Sequence, residues 1–207
     1  RLGEEAAGEH LEREVAGSGR EAQPVQEARR ALAVIGRERG RELDVEQFHP
    51  EYAVGQLELS VAAESPVEAA DTSVLVRSTI RAVGRRHNLR TSFSPKVEAE
   101  GVGNGGHLHL SVWRDGQNLM ANGNRPYGLT PTGEAFAAGI LERLPALLAL
   151  GAPSVASYLR LVPSHWAGVY GCWGLENREA ALRMITGSAG SSGWAANLEV
   201  KCVDLTA

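Results

Sequence analysis

Residues 101–113 read Gly101-Val102-Gly103-Asn104-Gly105-Gly106-His107-Leu108-His109-Leu110-Ser111-Val112-Trp113, and two fold classes compete for them. The first six residues match G-x-G-x-x-G letter for letter. In a dinucleotide-binding fold that pattern opens a helix whose N-terminus receives a pyrophosphate. Here period-two alternation begins at once at His107, so a strand follows the glycines and the doubly wound reading fails. The glycines then read as a flexible loop whose backbone approaches a ligand closely. Alternation puts His107, His109, Ser111 and Trp113 on one face, and Leu108, Leu110 and Val112 on the other, toward a core. The histidine face is either a ligand surface or simply solvated; paired histidines at this spacing are a common metal geometry but not a unique one. No G-x-x-x-x-G-K-[ST] occurs, so any ATP is held without a P-loop.

Toward the N-terminus, residues 47–61 read as two short strands about a turn containing Gly55. Glu51 and Glu58 flank that turn. Paired strands bring such carboxylates together, and close like charges are costly without a cation between them. Oxygen ligands of this kind suit Mg²⁺ or Mn²⁺ rather than structural zinc; a solvated hairpin is the competing reading. Ser65-Pro66-Val67-Glu68 is a helix start with an N-cap serine, a first-turn proline and a capping-box glutamate. The helix is expected to run to about His87, with another strand over 91–96.

Toward the C-terminus, residues 114–117 read as a turn. Thr130-Pro131 opens a long helix to about Leu150, apolar at Phe136, Ile140, Leu141, Leu144 and Leu148. A shorter helix is expected over 153–160, and strands near 168–173 and 197–203. Strands mixed with long helices, without strict alternation, argue an α+β fold. In the last strand Glu199 and Lys201 share a face opposite Leu198, Val200 and Cys202. They either complete a site for a metal and an anion or decorate an edge strand. Arg160, Arg178 and Arg183 offer guanidinium forks for carboxylate or phosphate; ion pairs with Glu176 and Glu179 are the plainer alternative.

The composition is that of a globular protein: 207 residues, 43% hydrophobic and 22% charged. Collagen-like, wholly disordered and disulfide-scaffold classes are excluded. A net charge of -4 does not point to a nucleic-acid partner. No apolar run approaches the roughly 20 residues that span a bilayer, and no signal peptide opens the chain. Cys172 and Cys202 lack metal-finger spacing and read as reduced thiols, so the cytoplasm is the expected compartment. Residues 1–45 stand apart: 18 of the 45 are charged and none is aromatic. Segment 1–23 reads as a frayed helix or a disordered stretch, and 24–39 as a helix with Ala28, Leu32 and Ile35 on one face. The expected organisation is a charged, weakly structured segment over 1–45 and a packed domain over 46–207.

Taken in order, several segments resemble the catalytic domain of the glutamine synthetase family. They are Glu51-Tyr52-Ala53-Val54-Gly55-Gln56-Leu57-Glu58, Gly103-Asn104-Gly105-Gly106-His107-Leu108-His109-Leu110-Ser111, Asn124-Arg125-Pro126-Tyr127-Gly128-Leu129-Thr130, Ser157-Tyr158-Leu159-Arg160-Leu161-Val162-Pro163, Glu176-Asn177-Arg178 and Asn197-Leu198-Glu199-Val200-Lys201. The resemblance covers about residues 45–207. It implies a partial catalytic domain of the glutamine synthetase and guanidino kinase type, with a curved antiparallel sheet flanked by helices. It also implies a reaction in which ATP phosphorylates the γ-carboxylate of glutamate and a nitrogen nucleophile displaces the phosphate. Two divalent cations, Mg or Mn, would serve it. By this likeness Glu51 and Glu58 bind the first metal, and His107 and Glu199 the second. Arg160 holds glutamate beside the Gly103 backbone. Arg178 and Arg183 neutralise the phosphoryl group. His109, Ser111, Arg183 and Lys201 lie on the nucleotide side. The partners implied are glutamate, ATP, an amine or ammonia, and copies of the chain in a homo-oligomeric ring, with neither nucleic acid nor membrane.

The chain departs from the family pattern at named places. Trp166 stands six residues after Arg160, where glutamine synthetases have a glutamate that takes a proton from ammonium. An indole cannot accept that proton, but its face suits a cation. The resemblance therefore leans to the glutamate–amine ligase branch, whose substrates include ethanolamine, monoamines and polyamines. Glutamine synthetase proper and a non-catalytic homologue are the alternatives. Lys201 replaces a phosphate-contacting arginine, Asn197 a nucleotide-side arginine and Val102 a glutamate-binding asparagine, for which Asn104 is a candidate substitute. The amino-terminal β-grasp domain, a strand with two further metal-binding glutamates and the carboxy-terminal helices of the family are not found, so a fragment inactive on its own is expected.

Overall fold

The computed structural model describes residues 25–28, 30–31, 45–186 and 195–204. The chain divides into two compact units, Arg1–Ser92 and Phe93–Ala207. Expectations for residues 1–23 lie outside the described residues. Of the helix expected over 24–39, residues 25–28 and 30–31 are helical, and Ala28 is buried.

In the first unit β1 (Val45–Pro50) and β2 (Leu57–Val61) form the expected antiparallel hairpin. Its turn is closed by Glu51 N–H donating to Gln56 O and Gln56 N–H to Ala53 O, both at 2.9 Å, with Gly55 at φ 73. Helix α1 (Pro66–Arg86) starts where the sequence places it, with the Ser65 N–H and hydroxyl donating to Glu68 Oε2 at 3.3 and 2.7 Å. Val76 packs with Val45, Leu59, Val61, Leu75 and Ile80, so the apolar faces of hairpin and helix meet. Glu27 pairs with Arg86 at 3.1 Å and His87 at 2.6 Å, joining the N-terminal helical residues to the end of α1.

In the second unit the 101–106 loop leads into β3 (Leu108–Leu110) and then the hairpin β4 (Trp113–Arg114) and β5 (Gln117–Asn118). Asp115 and Gly116 turn that hairpin with φ 50 and φ 76. Helix α2 (Pro131–Gly151) is capped by Thr130, and α3 (Val155–Arg160) by Ser154. Strands β6 (Tyr170–Leu175), β7 (Ala180–Thr186) and β8 (Ala195–Val200) join β3 in a four-stranded sheet of order β3-β8-β7-β6. One core cluster holds Met120, Leu129, Ala137, Met184 and Leu198. A second holds Leu144, Ala181, Leu182, Val200, Cys202 and Val203, with Leu110, Ile140, Leu141 and Leu148 against it. The apolar stripe of α2 thus covers the sheet as the periodicity predicts, and the α+β class holds. No described helix is long and apolar enough to cross a membrane.

Four expectations are corrected. Residues 91–96 form no strand: the Ser94 and Pro95 carbonyls accept from Asn104, and Pro95 has no N–H for a ladder. The alternation over 107–113 yields a strand only at 108–110, and Leu108 on this edge strand is 39% exposed rather than in the core. Strand β7 is absent from the sequence reading. It lies between β6 and β8 with Ala180, Ala181, Leu182 and Met184 buried, and such a run carries no period-two signal. Finally, β6 runs parallel to β7, so the sheet is mixed rather than wholly antiparallel. The chain makes that return over residues 176–179, with Glu176 at φ 50.

Leu182 is fully buried in the second cluster. Leu182→Ala is expected to destabilise the protein by about 2–5 kcal/mol, read as a lower urea midpoint at unchanged m-value.

Candidate functional site

The hairpin of the first unit gathers three ligand groups. Register sets His49 opposite Glu58, and Glu51 follows His49 by one period of the strand. One ligand atom from each of His49, Glu51 and Glu58 lies within 4.8 Å of the others, and no other such group occurs among the described residues. His49 Nδ1 is 3.0 Å from Pro50 O, so its N–H donates there and Nε2 is left to accept or to ligate. One imidazole with two carboxylates suits a divalent cation. The sequence reading picks Glu51 and Glu58 but misses His49. The available signal is that His49 and Glu51 occupy alternate positions along the chain.

The second unit builds its site on one buried carboxylate. Glu199, 3% exposed on β8, pairs in register with His109 of β3 and Arg183 of β7. Its Oε1 accepts from His107 Nδ1 at 2.8 Å and Lys201 Nζ at 3.2 Å, and its Oε2 from Arg183 Nη1 at 3.2 Å. His109 Nε2 stands 4.0 Å away. Burial alone raises the Glu199 pKa. The His107 hydrogen bond and the charges of His107, Lys201 and His109 outweigh it, taking the carboxyl from 4.5 to about 2. Burial pushes His107 below the usual imidazole range, with the Glu199 bond opposing it. Burial likewise lowers Lys201, against the pull of Glu199. A carboxylate and an imidazole side by side are donors that suit a divalent metal.

The glycines have a packing reason here. A Cβ on Gly105 would stand 2.3 Å from His107 Nε2, and one on Gly103 would stand 2.3 Å from Arg160 Cγ. Gly106 N–H donates to Val203 O at 3.1 Å, fastening the loop beside β8. Only glycine lets the main chain lie this close to both side chains.

The remaining predicted residues fall as follows. Arg160 is 3% exposed and its Nη2 donates to Lys201 O at 3.3 Å and Val203 O at 3.2 Å, while its buried Nε has no hydrogen-bond partner. Arg183 joins Glu199 to Glu176, so the ion pair with Glu176 is present. Arg178 is exposed on the 176–179 return. His109 is exposed, with Nδ1 3.1 Å from Asn197 Oδ1, and Ser111 Oγ accepts from Trp113 Nε1 at 2.8 Å. Asn104 N–H donates to Pro95 O and its Nδ2 to Ser94 O. Trp166 is 39% exposed, and its N–H donates to Glu179 Oε1. The structure thus brings His107, His109, Arg183, Glu199 and Lys201 together, with Arg160 bonded to the main chain beside them. Glu176 enters the sequence reading as an ion-pair partner and within the Glu176-Asn177-Arg178 segment, with no site role of its own. The backbone contacts of Glu179 escape it, since two main-chain donors on a distant loop leave no pattern in the sequence.

Over residues 5–207 the sequence matches the family described as glutamine synthetase, catalytic domain. The chain belongs to the glutamine synthetase family. The match begins at residue 5, and so includes the charged segment that the sequence reading leaves outside the resemblance. The chain is 66% identical over 165 residues to the gamma-glutamylpolyamine synthetase of Streptomyces coelicolor, covering 80% of this chain and 35% of the relative. It is 36% identical to the glutamine synthetase of Halobacterium salinarum, covering 78% of this chain and 35% of the relative. A solved glutamine synthase homolog superposes with a TM-score of 0.78 at 42% identity, over 95% of this chain and 45% of the other. The chain therefore spans about a third of the length of these curated relatives. Glutamine synthetases as a family use ATP and divalent metal, and the hairpin cluster and the His107–Glu199 pair both offer donors of the right chemistry.

The low pKa of Glu199 has a consequence for acid stability. Its contribution to stability is complete above the ordinary carboxyl value and drains away as pH falls toward about 2. Glu199→Gln removes that dependence. The urea midpoints of wild type and variant should differ at about pH 6 and converge as pH drops toward about 3.

Proposed function

We propose that the chain carries catalytic machinery of a γ-glutamyl amide ligase whose nucleophile is an organic amine, with polyamines the leading class. ATP phosphorylates the γ-carboxylate of glutamate, releasing ADP, and the amine nitrogen attacks the acyl phosphate and expels phosphate. Trp166 carries the amine reading. It takes the place of the glutamate that relieves ammonium of a proton, and the indole offers an apolar wall and a cation-binding face instead. The polyamine class is supported by the 66% identity to a protein named gamma-glutamylpolyamine synthetase.

In this reading Glu51 and Glu58, joined by His49, hold one divalent cation, and His107 and Glu199 a second. When bound, the cations offset charge on the transferring phosphoryl oxygens. Arg178 meets that group from the exposed return, while Arg183, held between Glu199 and Glu176, is oriented before the phosphate arrives. Lys201 supplies a point charge rather than a fork, so it orients phosphate less tightly than arginine would. Arg160 and the Gly103 backbone form the glutamate side, and His109 and Ser111 the nucleotide side. The acyl phosphate must be kept from water until the amine arrives, a task that suits the indole. We place the reaction in the cytoplasm, within a homo-oligomeric ring.

Ammonia as nucleophile is the second reading, favoured by the 36% identity to a glutamine synthetase. Initial rates of the holoenzyme with putrescine and with ammonium separate the two. The amine reading expects a higher kcat/KM for putrescine, and a gain in ammonium use from Trp166→Glu; equal or better turnover of ammonium by the wild type sinks it. Mn²⁺ titration calorimetry tests the ligands independently of turnover. Glu51→Gln and Glu58→Gln should each weaken binding by about tenfold or more.

A further inference from the structure

We infer that Glu179 is the positioning residue for Trp166, and that through the indole it sets which amines the site accepts; the second half rests on Trp166 lining the amine site as proposed above.

The loop carrying Trp166 has an unusual backbone. Ser164, Trp166 and Gly168 have φ 65, 52 and 68, alternate residues in the left-handed region. Glycine adopts that conformation freely, but a serine and above all a tryptophan do so against steric resistance, and they persist there only where surrounding contacts enforce it. One carboxylate supplies two such contacts. Glu179 Oε2 accepts from Ser164 N–H at 3.1 Å and Glu179 Oε1 from Trp166 N–H at 2.8 Å. Main-chain N–H groups that converge in this way form a concave seat for an anion, and here a side chain of the same chain fills it.

Glu179 is itself firmly placed. Its N–H donates to Asn177 Oδ1 at 3.0 Å, and its carbonyl accepts from Tyr170 N–H at 3.2 Å. The residues that follow it, Ala180, Ala181 and Leu182, are at most 1% exposed. The far end of the loop is pinned as well. A Cβ on Gly168 would stand 2.5 Å from Lys201 Cβ, so the loop rests on the strand segment that presents Glu199 and Lys201. Two anchors therefore hold the Trp166 main chain at a set place relative to that cluster. A carboxylate can satisfy both N–H groups at once, whereas an amide at the same position offers only one acceptor.

Amide hydrogen exchange on the 207-residue chain tests the first half. Glu179→Ala should speed exchange at Ser164 and Trp166 at least tenfold and leave Lys201, whose N–H is bonded to Ala181 O, unchanged. Glu179→Gln should release one of the two amides, and it serves as the reporter if the alanine variant fails to fold. Unchanged exchange at both amides overturns the positioning role.

Kinetics of the holoenzyme test the second half. Glu179→Gln should raise KM for putrescine about fivefold or more with KM for ATP unchanged, and should add nothing further in a Trp166→Ala background. A normal KM for putrescine in Glu179→Gln, with a raised one in Trp166→Ala, overturns the selectivity role alone. A normal KM in Trp166→Ala overturns the reading of the amine site and the selectivity role with it. The exchange data would still decide whether Glu179 holds the loop.

Discussion

A carboxylate buried among cationic groups governs the second unit. Glu199 stands on an interior strand at 3% exposure, and an isolated charge there would be driven to protonate. It stays ionised because His107, Lys201 and Arg183 donate to it from three different segments. Each donor needs its own support. His107 needs Gly105 beneath its ring, Lys201 needs Gly168 against its stem, and Arg183 needs its place opposite Glu199 across β7 and β8. The charge cluster thus dictates where glycines must be and which strands must pair. Removing any one donor leaves the buried Glu199 carboxylate short of a partner that keeps it ionised.

The same arrangement suits the charge-shifting reaction proposed above. Arg183 is restrained by Glu176 and Glu199, so its guanidinium is oriented without a ligand to hold it. Preorganised charge of this kind is what lowers the barrier to phosphoryl transfer, where the protein has little covalent chemistry to perform. The hairpin of the first unit follows a different logic. His49, Glu51 and Glu58 approach one another at half-exposed or exposed positions of the hairpin, where hydration tempers repulsion between the two carboxylates.

Much of this was legible in the chain. The capping box at Ser65 and Glu68, the prolines that open both long helices and the apolar stripe of α2 are local signals, and the elements form where those signals stand. The placement of the candidate glutamates was legible through their neighbours: Glu51 and Glu58 about a hairpin turn, Glu199 on a strand beside Lys201. Strand β7 was not, because burial on both faces leaves Ala180–Ile185 apolar apart from Arg183. Nor was the parallel return from β6, since a connection over 176–179 normally joins antiparallel strands.

The sequence by itself determined the α+β class, the long helices, the hairpin and the family, because caps, periodicity and ordered motifs are properties of neighbouring residues. Only the tertiary structure decided that Arg160 bonds main-chain carbonyls, that Glu176 pairs with Arg183 and that Glu179 seats the backbone of Trp166. Those partners lie on separate segments, and a carboxylate or guanidinium bonds whichever donor or acceptor folding brings within about 3 Å of it. Nothing in the spacing of residues along the chain encodes that choice.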